Sequence, residues 1–379
     1  MTQRVVFLIN SLAGGGAERA ICNLLANSEQ QRRDAAVSLV LLDREAQAYS
    51  PPSGMQLTSL DSNRSLFRSV IQLYISLRRS RPDVVVSSLT RSNLANIAVS
   101  RFLGHRTIIC EHAHTSGHHK GLPGRMAQLL IRRLYKHADR IICVSRGIKA
   151  DLVQNFGIKD QQAAVVANPI DIDEIRHLGN SASTNVQSGR YILGMGRFVE
   201  SKNFPLLINA FAHSSYTGRL LLLGRGPLEE ALKAVCHSLG IADRVDFLGF
   251  HRNPFPIIKG ADAFVLASNG EGLPTSIIEA LALGTPVIST DCHSGPAEIL
   301  DDAEDGLTQH LHHGKYGILV PPNDVAALSN AISLLERPED VQGLRAIAAL
   351  GAERYGLMKA VARYWEEIAA VIEEGRQHR

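Results

Sequence analysis

The segment NGEGLPTSIIEALALGTPVISTD, residues 269–291, decides the fold of the second half of the chain. It predicts a loop followed by a helix that begins near Pro274, since proline is favoured at the first helical position. Gly284 ends this helix, and a turn leads into the strand VIST. The loop carries Glu271 and the helix carries Glu279, eight residues further on.

The predicted helix reads IIEALAL around Glu279 and is apolar on nearly every face, so we expect it to be buried. A buried carboxylate is unfavourable unless hydrogen bonds satisfy it. Glu279 therefore either pairs with a nearby arginine at the rim of the domain, or accepts hydrogen bonds from the two ribose hydroxyls of a nucleotide. In the second case Glu271, at the positive end of the helix, meets another polar group of the same ligand.

The same pattern of short apolar strands and amphipathic helices runs through both halves of the chain. It is typical of parallel sheets covered on both faces. A chain of 379 residues exceeds a single core, so two domains are expected. The Ser/Asn/Gly-rich segment 179–190 predicts the linker, which gives domains at 1–180 and 190–356. AAVVANPID at 163–171 is predicted as the last strand of the first half, and KAVARYWEEIAAVIEE as a long docking helix.

The composition, 45% apolar and 20% charged, suits a soluble globular protein. No apolar run reaches the ~18 residues needed to span a bilayer, and the start of the chain predicts a strand rather than a signal peptide. Five scattered cysteines without C-x-x-C indicate reduced thiols in the cytosol and no metal cluster. Residues 1–185 carry a formal charge of +9 and residues 186–379 carry −6, which favours an anionic surface or ligand for the first half.

A basic pair, Arg197 and Lys202, lies where the strand YILGMGR leads into the next helix. The planar donors of arginine and the mobile charge of lysine together suit a diphosphate. The alternative is that both are solvated surface cations. Metal-binding loops often carry a D-x-D sequence, and here D-x-D occurs at 171–173, next to the linker and before a helix. A bound metal is therefore not expected to be required.

Glycines open the first half in SLAGGGAERA, after a strand and before a helix. Gly14 and Gly16 match part of a dinucleotide-binding fingerprint, and Asp43 at the end of the next strand would suit a ribose. Arg19 sits where that fingerprint needs a small residue. An NAD-dependent dehydrogenase remains an alternative on this pattern.

Two loops at strand ends of the second half are candidates for recognising a base, because ligands of such sheets bind outside the carboxyl ends of the strands. The first is Gly224-Arg225-Gly226 and the second is residues 250–253, Phe-His-Arg-Asn. We prefer the second loop.

Seven of the 15 histidines cluster in EHAHTSGHH and LTQHLHHG, with irregular spacing that argues against a structural zinc site. His112 ends the strand TIICE and is the preferred functional histidine, with His114 as its rival by position. Four others are expected to be solvated loop residues, namely His118, His119, His312 and His313.

Several segments resemble, in order and over essentially the whole chain, the family-4 (group 1) glycosyltransferases of the GT-B fold. They are GGGAERA near the start, GMGRFVESKNFPLLINAF at 194–211, LLLLGRGP at 220–227, VDFLGF at 245–250, EGLPTSIIE at 271–279 and LVPPNDVAALSNAI at 319–332. The resemblance implies two doubly wound parallel-sheet, Rossmann-like domains facing a cleft. The first would bind the acceptor and the second a nucleotide-sugar. A helix at about 357–375 would cross back to the first domain.

The implied reaction transfers a sugar, with retention of configuration, from a nucleotide-sugar, most simply a UDP-sugar, to a saccharide or lipid-linked saccharide. Such relatives build cell-surface polysaccharide. No cofactor, metal or nucleic acid is expected. The implied catalytic residues are His112, Glu271, Arg197 and Lys202. The implied donor-binding residues are Gly15, Gly16, Arg197, Lys202, Arg225, Phe250, His251, Gly272, Leu273, Pro274, Thr275 and Glu279.

A UDP-sugar epimerase or a phosphorylase of the same fold remains open as an alternative. A phosphorylase would need a cofactor lysine late in the chain, and Lys315 and Lys359 lack a fitting motif. In this family Gly14 to Gly16 let the backbone approach the donor phosphates or the acceptor.

The basic first half also predicts peripheral contact with an anionic membrane, at the inner face for a cytoplasmic protein. The alternative is that the apolar residues pack on the sheet while the cations are solvated. The cations concerned are Arg64, Arg68, Arg78, Arg79, Arg81, Lys120, Arg125, Arg132, Arg133 and Lys136.

Overall fold

The computed structural model describes residues 2–118, 121–181, 189–303 and 308–377, which form two compact units. One unit comprises Met1–Ile170 together with Leu357–Arg379, and the other comprises Asp171–Gly356. Most of the predicted linker lies outside the described residues, as do His119 and Lys120 and the side chain of His118.

The first unit contains a seven-stranded sheet in the order β3-β2-β1-β4-β5-β6-β7, with parallel pairing throughout. Its apolar strands are buried because helices cover both faces. The strands are β1 (Gln3–Ile9), β2 (Ala35–Leu41), β3 (Gln56–Ser59), β4 (Val84–Ser88), β5 (Arg106–Glu111), β6 (Arg140–Cys143) and β7 (Ala163–Val165). The last strand is shorter than the predicted 163–171.

Among the described residues before the second unit, the α-helices are α1 (Gly16–Ala26), α2 (Glu29–Asp34), α3 (Leu66–Ser80), α4 (Thr90–Leu103), α5 (Thr115–His118), α6 (Gly121–Leu134) and α7 (Arg146–Phe156). The connections from β3 to β4, β4 to β5 and β5 to β6 run in one direction along the sheet. Right-handed crossovers therefore place α3, α4 and α6 on one face, and α1 on the other. The buried clusters agree, since Leu73 and Leu77 of α3 pack with Val6 and Leu8.

The second unit contains another seven-stranded sheet, in the order β10-β9-β8-β11-β12-β14-β13. Only β13 pairs antiparallel among the strands described. The order reverses between β8 and β11, and ligands of doubly wound sheets bind at such a switch point. The strands are β8 (Tyr191–Met195), β9 (Arg219–Leu223), β10 (Val245–Gly249), β11 (Ala263–Leu266), β12 (Val287–Thr290), β13 (His312–His313) and β14 (Ile318–Val320).

The boundary between the units falls after Ile170, not at the predicted 180. The helix that follows packs in the second unit, where Arg176 Nε donates to the Ala282 carbonyl at 3.2 Å and Asn253 Nδ2 donates to that of Leu178 at 3.2 Å. The helices of this unit are α8 (Ile172–Gly179), α9 (Phe204–His213), α10 (Glu229–Ser238), α11 (Phe255–Gly260), α12 (Thr275–Ala282), α13 (Pro296–Leu300), α14 (Val325–Ser333) and α15 (Pro338–Ala352).

The helix α16 (Leu357–Gln377) belongs to the first unit. Its apolar stripe, which includes Tyr364 and Ile368, completes the buried cluster on the α1 face of the first sheet. Trp365 packs edge-on against Phe7, with ring centroids 6.0 Å apart, and its indole Nε1 donates to Ser28 Oγ at 2.7 Å. This helix covers the part of the sheet face that α1 leaves open.

Candidate active site

The clearest polar cluster lies at the switch point of the second sheet, after the carboxyl ends of β8 and β11. Lys202 ends a 3-10 turn, Glu200–Lys202, and its Nζ donates to Glu271 Oε1 at 2.5 Å. Ser268 Oγ donates to the same carboxylate oxygen at 2.6 Å. These two donors fix the Glu271 side chain in a half-buried position.

Arg197 lies on the same connection, two residues after β8. It is exposed, and no hydrogen bond or ion pair of its guanidinium occurs among the described residues. The structure thus brings Lys202 and Glu271 together and leaves Arg197 beside them in solvent. A planar cation that is free to move suits an incoming anion.

The helix α12 begins directly after Pro274 and ends before Gly284, as the sequence predicted. Gly272, Leu273 and Pro274 are buried and Thr275 is half-buried. Glu279 is only 5% exposed. Glu279 is therefore not exposed at the rim of the domain, and it lies among the buried residues of α12.

A second segment supports the loop that carries Glu271. Ser294 Oγ donates to the Gly272 carbonyl at 2.8 Å. Gly295 has a φ of +99°, and a Cβ there would lie 2.5 Å from Pro274 Cδ. Neither residue was predicted from the sequence, although the Ser-Gly-Pro sequence between the strand VIST and a short helix was an available signal.

The two loops proposed to recognise a base are neighbours. Gly224 N donates to the Gly249 carbonyl at 2.9 Å, and a Cβ on Gly224 would lie 1.8 Å from the Gly196 carbonyl oxygen. Only glycine therefore fits at Gly224. Arg225 is exposed, and Phe250 is 68% exposed. The adjoining His251 is half-buried, so these side chains could meet a ligand from two adjacent strand ends.

In the first unit, His112 follows β5 and is half-buried. Neither buried ring nitrogen has a hydrogen-bond partner within the described part of the chain. Burial lowers the pKa of His112 to about 4. The nearby Asn168 side chain acts in the opposite direction and only partly offsets this lowering. The imidazole is therefore neutral at pH 7, and both of its ring nitrogens are buried without a hydrogen-bond partner among the described residues.

The residue before it, Glu111, was not predicted to matter. Its carboxylate is buried, and accepts a hydrogen bond from Tyr135 Oη at 2.8 Å and from the backbone N–H of His112 at 3.2 Å. Burial raises the pKa of Glu111 to about 7, against the lowering effect of these bonds. The carboxylate anchors the backbone that carries His112.

The rival histidine has a structural role. The Nδ1 atom of His114 accepts a hydrogen bond from Gly117 N at 3.1 Å, and its Nε2 lies 3.9 Å from Asp151 Oδ1. Of the two, His112 is the one whose ring nitrogens remain unpartnered in the described structure. Elsewhere, His312 lies in β13 rather than a loop, and its Nε2 contacts Asp301 Oδ2 at 2.9 Å.

The glycine-rich turn before α1 carries a carboxylate. A Cβ on Gly15 would lie 2.4 Å from Glu18 Oε2, and Glu18 occupies the first turn of the helix. This negative charge makes the turn less suited to a phosphate than to hydroxyl groups. Asp43, the ribose candidate of the dehydrogenase alternative, is instead paired with Arg91 and accepts from Arg64 N at 3.0 Å.

Comparisons with known proteins agree with this architecture. Residues 14–174 match the family described as glycosyltransferase family 4, and residues 180–346 match glycosyl transferases group 1. The solved structure of Anabaena HepE in complex with UDP-glucose superposes with a TM-score of 0.76, at 18% identity, over 97% of this chain and 100% of that one. The fold is therefore GT-B, with two Rossmann-like domains.

Two curated relatives are similar in sequence. One is the N-acetylgalactosamine-N,N'-diacetylbacillosaminyl-diphospho-undecaprenol 4-alpha-N-acetylgalactosaminyltransferase of Campylobacter jejuni, 29% identical over 320 residues, or 80% of this chain and 85% of the relative. The other is an uncharacterized glycosyltransferase of Methanocaldococcus jannaschii, 30% identical over 269 residues, or 65% of each chain.

The chain belongs to the family-4, group 1 glycosyltransferases. Both matching family models describe glycosyl transfer. The dehydrogenase, epimerase and phosphorylase alternatives are accordingly not favoured.

Proposed function

We propose that the protein transfers a sugar, with retention of configuration, from a UDP-sugar to a saccharide or lipid-linked saccharide acceptor, without a metal ion. The observation that carries this proposal is the Lys202–Glu271 pair at the switch point of the second sheet. Arg197 is solvated on the same connection as Lys202, and the buried Glu279 lies eight residues after Glu271.

Each of these groups matches one part of a nucleotide-sugar. Arg197 and Lys202 neutralise the diphosphate, and an ammonium has three donors, so Lys202 can hold Glu271 and a phosphate oxygen together. Such fixed cations stabilise the charge that grows on the leaving diphosphate. Glu271 accepts hydrogen bonds from hydroxyls of the sugar, and Glu279 from those of the ribose.

The base meets the loops that carry Arg225, Phe250 and His251, where an exposed aromatic ring offers a stacking surface. His112, in the first unit, has a neutral imidazole that would hydrogen-bond a sugar hydroxyl. Gly15 and Gly16 approach the acceptor rather than a phosphate, because Glu18 occupies that helix start.

In the proposed reaction the bond between the anomeric carbon and the diphosphate oxygen breaks, and the acceptor oxygen bonds to the same face of the sugar. The proton of the acceptor hydroxyl passes to the leaving phosphate. The Campylobacter relative is named for a diphospho-undecaprenol substrate, and HepE was solved with UDP-glucose, which supports both the donor and the acceptor classes. A lipid-linked acceptor implies work at the inner face of the cytoplasmic membrane.

The proposal is tested by calorimetric titration with UDP, together with hydrolysis of a panel of UDP-sugars. Glu279→Gln replaces a charge-assisted bond by a neutral one, worth roughly 1–3 kcal/mol less, so UDP should bind about 5- to 150-fold more weakly. Glu271→Gln should lower turnover more than UDP affinity. Glu230→Gln, on an exposed face of α10, is the matched control and should change neither.

Equal UDP affinity in Glu279→Gln and the unchanged protein would remove the ribose assignment. Turnover should also persist in EDTA. If EDTA abolishes it and magnesium or manganese restores it, the metal-independent mechanism is wrong.

A further inference from the structure

The helix α3 has two apolar sides, and only one of them faces the sheet. Leu73 and Leu77 are fully buried against β1 and β4. Phe67, Ile71 and Ile75 point away from that core and are between 44% and 74% exposed. Their spacing of four residues places them in one row about 12 Å long on the outer surface of the helix.

Further exposed apolar residues lie on α4 and α6, the other two helices of this layer. Phe102, at the end of α4, contacts Tyr74 of α3 edge-on, with ring centroids 6.4 Å apart. The helix α4 packs between α3 and α6. The seven residues, which we call the outer apolar patch, are Phe67, Ile71, Ile75, Phe102, Leu122, Met126 and Leu129.

Monomeric proteins rarely expose so many large apolar side chains on one face unless that face binds something. The sequence had left open that the apolar residues of these segments all pack on the sheet. That alternative holds for Leu73 and Leu77 and is wrong for the outer apolar patch. The reason is that α3 and α6 carry apolar residues on more than the one stripe that a surface helix needs.

The charges on the helices that carry the outer apolar patch have one sign, whereas the exposed Asp61 precedes α3 and Glu45 pairs with Arg64. The three helices α3, α4 and α6 contain eight arginines and no Asp or Glu. Between residues 62 and 138 there are 13 Lys and Arg and only two acidic residues. Of these two, Glu111 is buried and Asp83 accepts a hydrogen bond from Arg4 N at 2.8 Å. Arg68, Arg78 and Arg79 of α3 are exposed beside the patch.

We propose that the outer apolar patch docks on an anionic phospholipid bilayer, with its apolar side chains in the headgroup boundary and its arginines on lipid phosphates. Apolar residues flanked by cations are the pattern of helices that lie in a membrane interface. A second copy of the chain fits less well, because two such surfaces would oppose like charges. Nucleic acid offers the phosphates without a place for aliphatic side chains.

This inference deepens the proposed function and rests on it for its purpose, which is to bring the chain to a lipid-linked acceptor. Among the described residues no helix has the length and apolarity to cross a bilayer. The proposed contact is therefore made by side chains on the surface of a folded unit. It should depend on salt, since an ionic atmosphere screens exposed charges over roughly 10 Å at 0.1 M.

The test is sedimentation of the full chain with vesicles of phosphatidylcholine alone, or with about a third phosphatidylglycerol, in low and high salt. We expect binding only to the anionic vesicles in low salt. Arg78→Gln with Arg79→Gln should weaken it about 30-fold, because each basic residue contributes ~1 kcal/mol. The control double variant, Arg33→Gln with Arg337→Gln, removes exposed arginines elsewhere and should bind normally.

The apolar contribution is tested separately. Phe67→Ser with Ile71→Ser and Ile75→Ser should reduce vesicle binding at least tenfold. Leu350→Ser with Met358→Ser, which changes exposed apolar residues outside the patch, should not. Circular dichroism establishes that each variant is folded.

Three results would overturn the proposal: the unchanged protein stays in the supernatant with anionic vesicles in low salt, the patch variants sediment like it, or both control variants lose binding equally. A dimer that the serine substitutions dissociate, without vesicle binding, would instead identify the patch as a contact between two copies. Hydrolysis of UDP-sugar in vesicle-free buffer is measured in parallel. It tests the proposed function alone, so failure of either inference can be recognised without the other.

Discussion

Lys202 and Arg197 carry the same charge in very different surroundings. Lys202 is half-buried and bound to Glu271, so each neutralises the other before any ligand arrives. Arg197 is solvated. Removing Lys202 would leave a half-buried carboxylate with Ser268 as its remaining donor. Removing Arg197 breaks no hydrogen bond or ion pair of its side chain among the described residues. The two cations should therefore differ in what they contribute to stability.

We expect Lys202→Ala to lower the free energy of unfolding of the second unit by about 1–3 kcal/mol, the scale for leaving a buried polar group unsatisfied. Arg197→Ala should change it by less than about 0.5 kcal/mol, as at most surface positions. Both should reduce UDP-sugar turnover about a hundredfold or more. Urea unfolding followed by circular dichroism, with turnover assays, measures these effects. Equal stability of the two variants would contradict this account of the pair.

Glu111 gives the first unit a dependence on pH. Its pKa is about 7 in the folded chain and near 4.5 when unfolded. The stabilising contribution of the neutral carboxyl is therefore complete below pH 4.5 and is lost as the pH rises through 7. Glu111→Gln cannot ionise, so relative to the unchanged protein it should gain about 1–3 kcal/mol between pH 5 and pH 8.

The measurement is unfolding at both pH values, followed by the fluorescence of Trp365, the only tryptophan in the chain. Burial also lowers the pKa values of His105 and His112 to about 4. Their contribution to the free energy of unfolding is therefore lost as the pH falls below 6.5, in the variant as in the unchanged protein. Their contributions cancel in the difference. Parallel pH profiles for the two proteins would show that Glu111 is ionised throughout.

Single residues could be predicted where charge and motif spacing coincide. The sequence singled out Lys202, Glu271 and Glu279, and the structure joins the first two directly. It gave no reason to notice Ser268 or Glu111, because a serine after a strand and a glutamate before a histidine are common. Their importance comes from hydrogen bonds, to Glu271 and from Tyr135, that only the folded chain brings together.

At the scale of elements, periodicity located the long segments and lost the short ones. The helix α12 begins and ends as expected because proline and glycine mark its limits. The two-residue strand β13 and the four-residue β3 were missed, since neither contains a run of alternating or apolar residues. The predicted boundary placed helix α8 in the first unit, which is wrong. Its amphipathic pattern indicates that one side is buried, but does not indicate which of the two sheets it packs on.

The packing of α16 predicts a contrast between two apolar residues of that helix. Ile368 is 1% exposed in the core of the first unit, whereas Met358 is 63% exposed. Ile368→Ala should destabilise this unit by about 2–5 kcal/mol through the cavity it leaves. Met358→Ala, the matched control, should fall within about 0.5 kcal/mol. Urea unfolding followed by Trp365 fluorescence reports on this unit. Equal effects would mean that α16 is not part of its core.

At the scale of the molecule, the division into two units with parallel sheets followed from length and alternating pattern, and the doubly wound arrangement from the family resemblance. The order of the strands within each sheet could not be predicted in this way, because apolar strands of similar composition carry no information on which strands they pair with. The opposite charges of the two halves were visible in the composition alone. Which apolar residues stand among those charges became clear only when the burial of each side chain was known.

The return of α16 to the first unit also has a consequence for synthesis on the ribosome. The face of the first sheet that includes Val5, Phe7 and Val86 is completed by residues translated after the whole second unit, Asp171–Gly356. At translation rates of roughly 5–20 residues per second, the part of that face that α16 covers stays exposed for about 10–40 s. A nascent chain in this state presents an unpaired apolar surface, and is the stage at which a chaperone would bind.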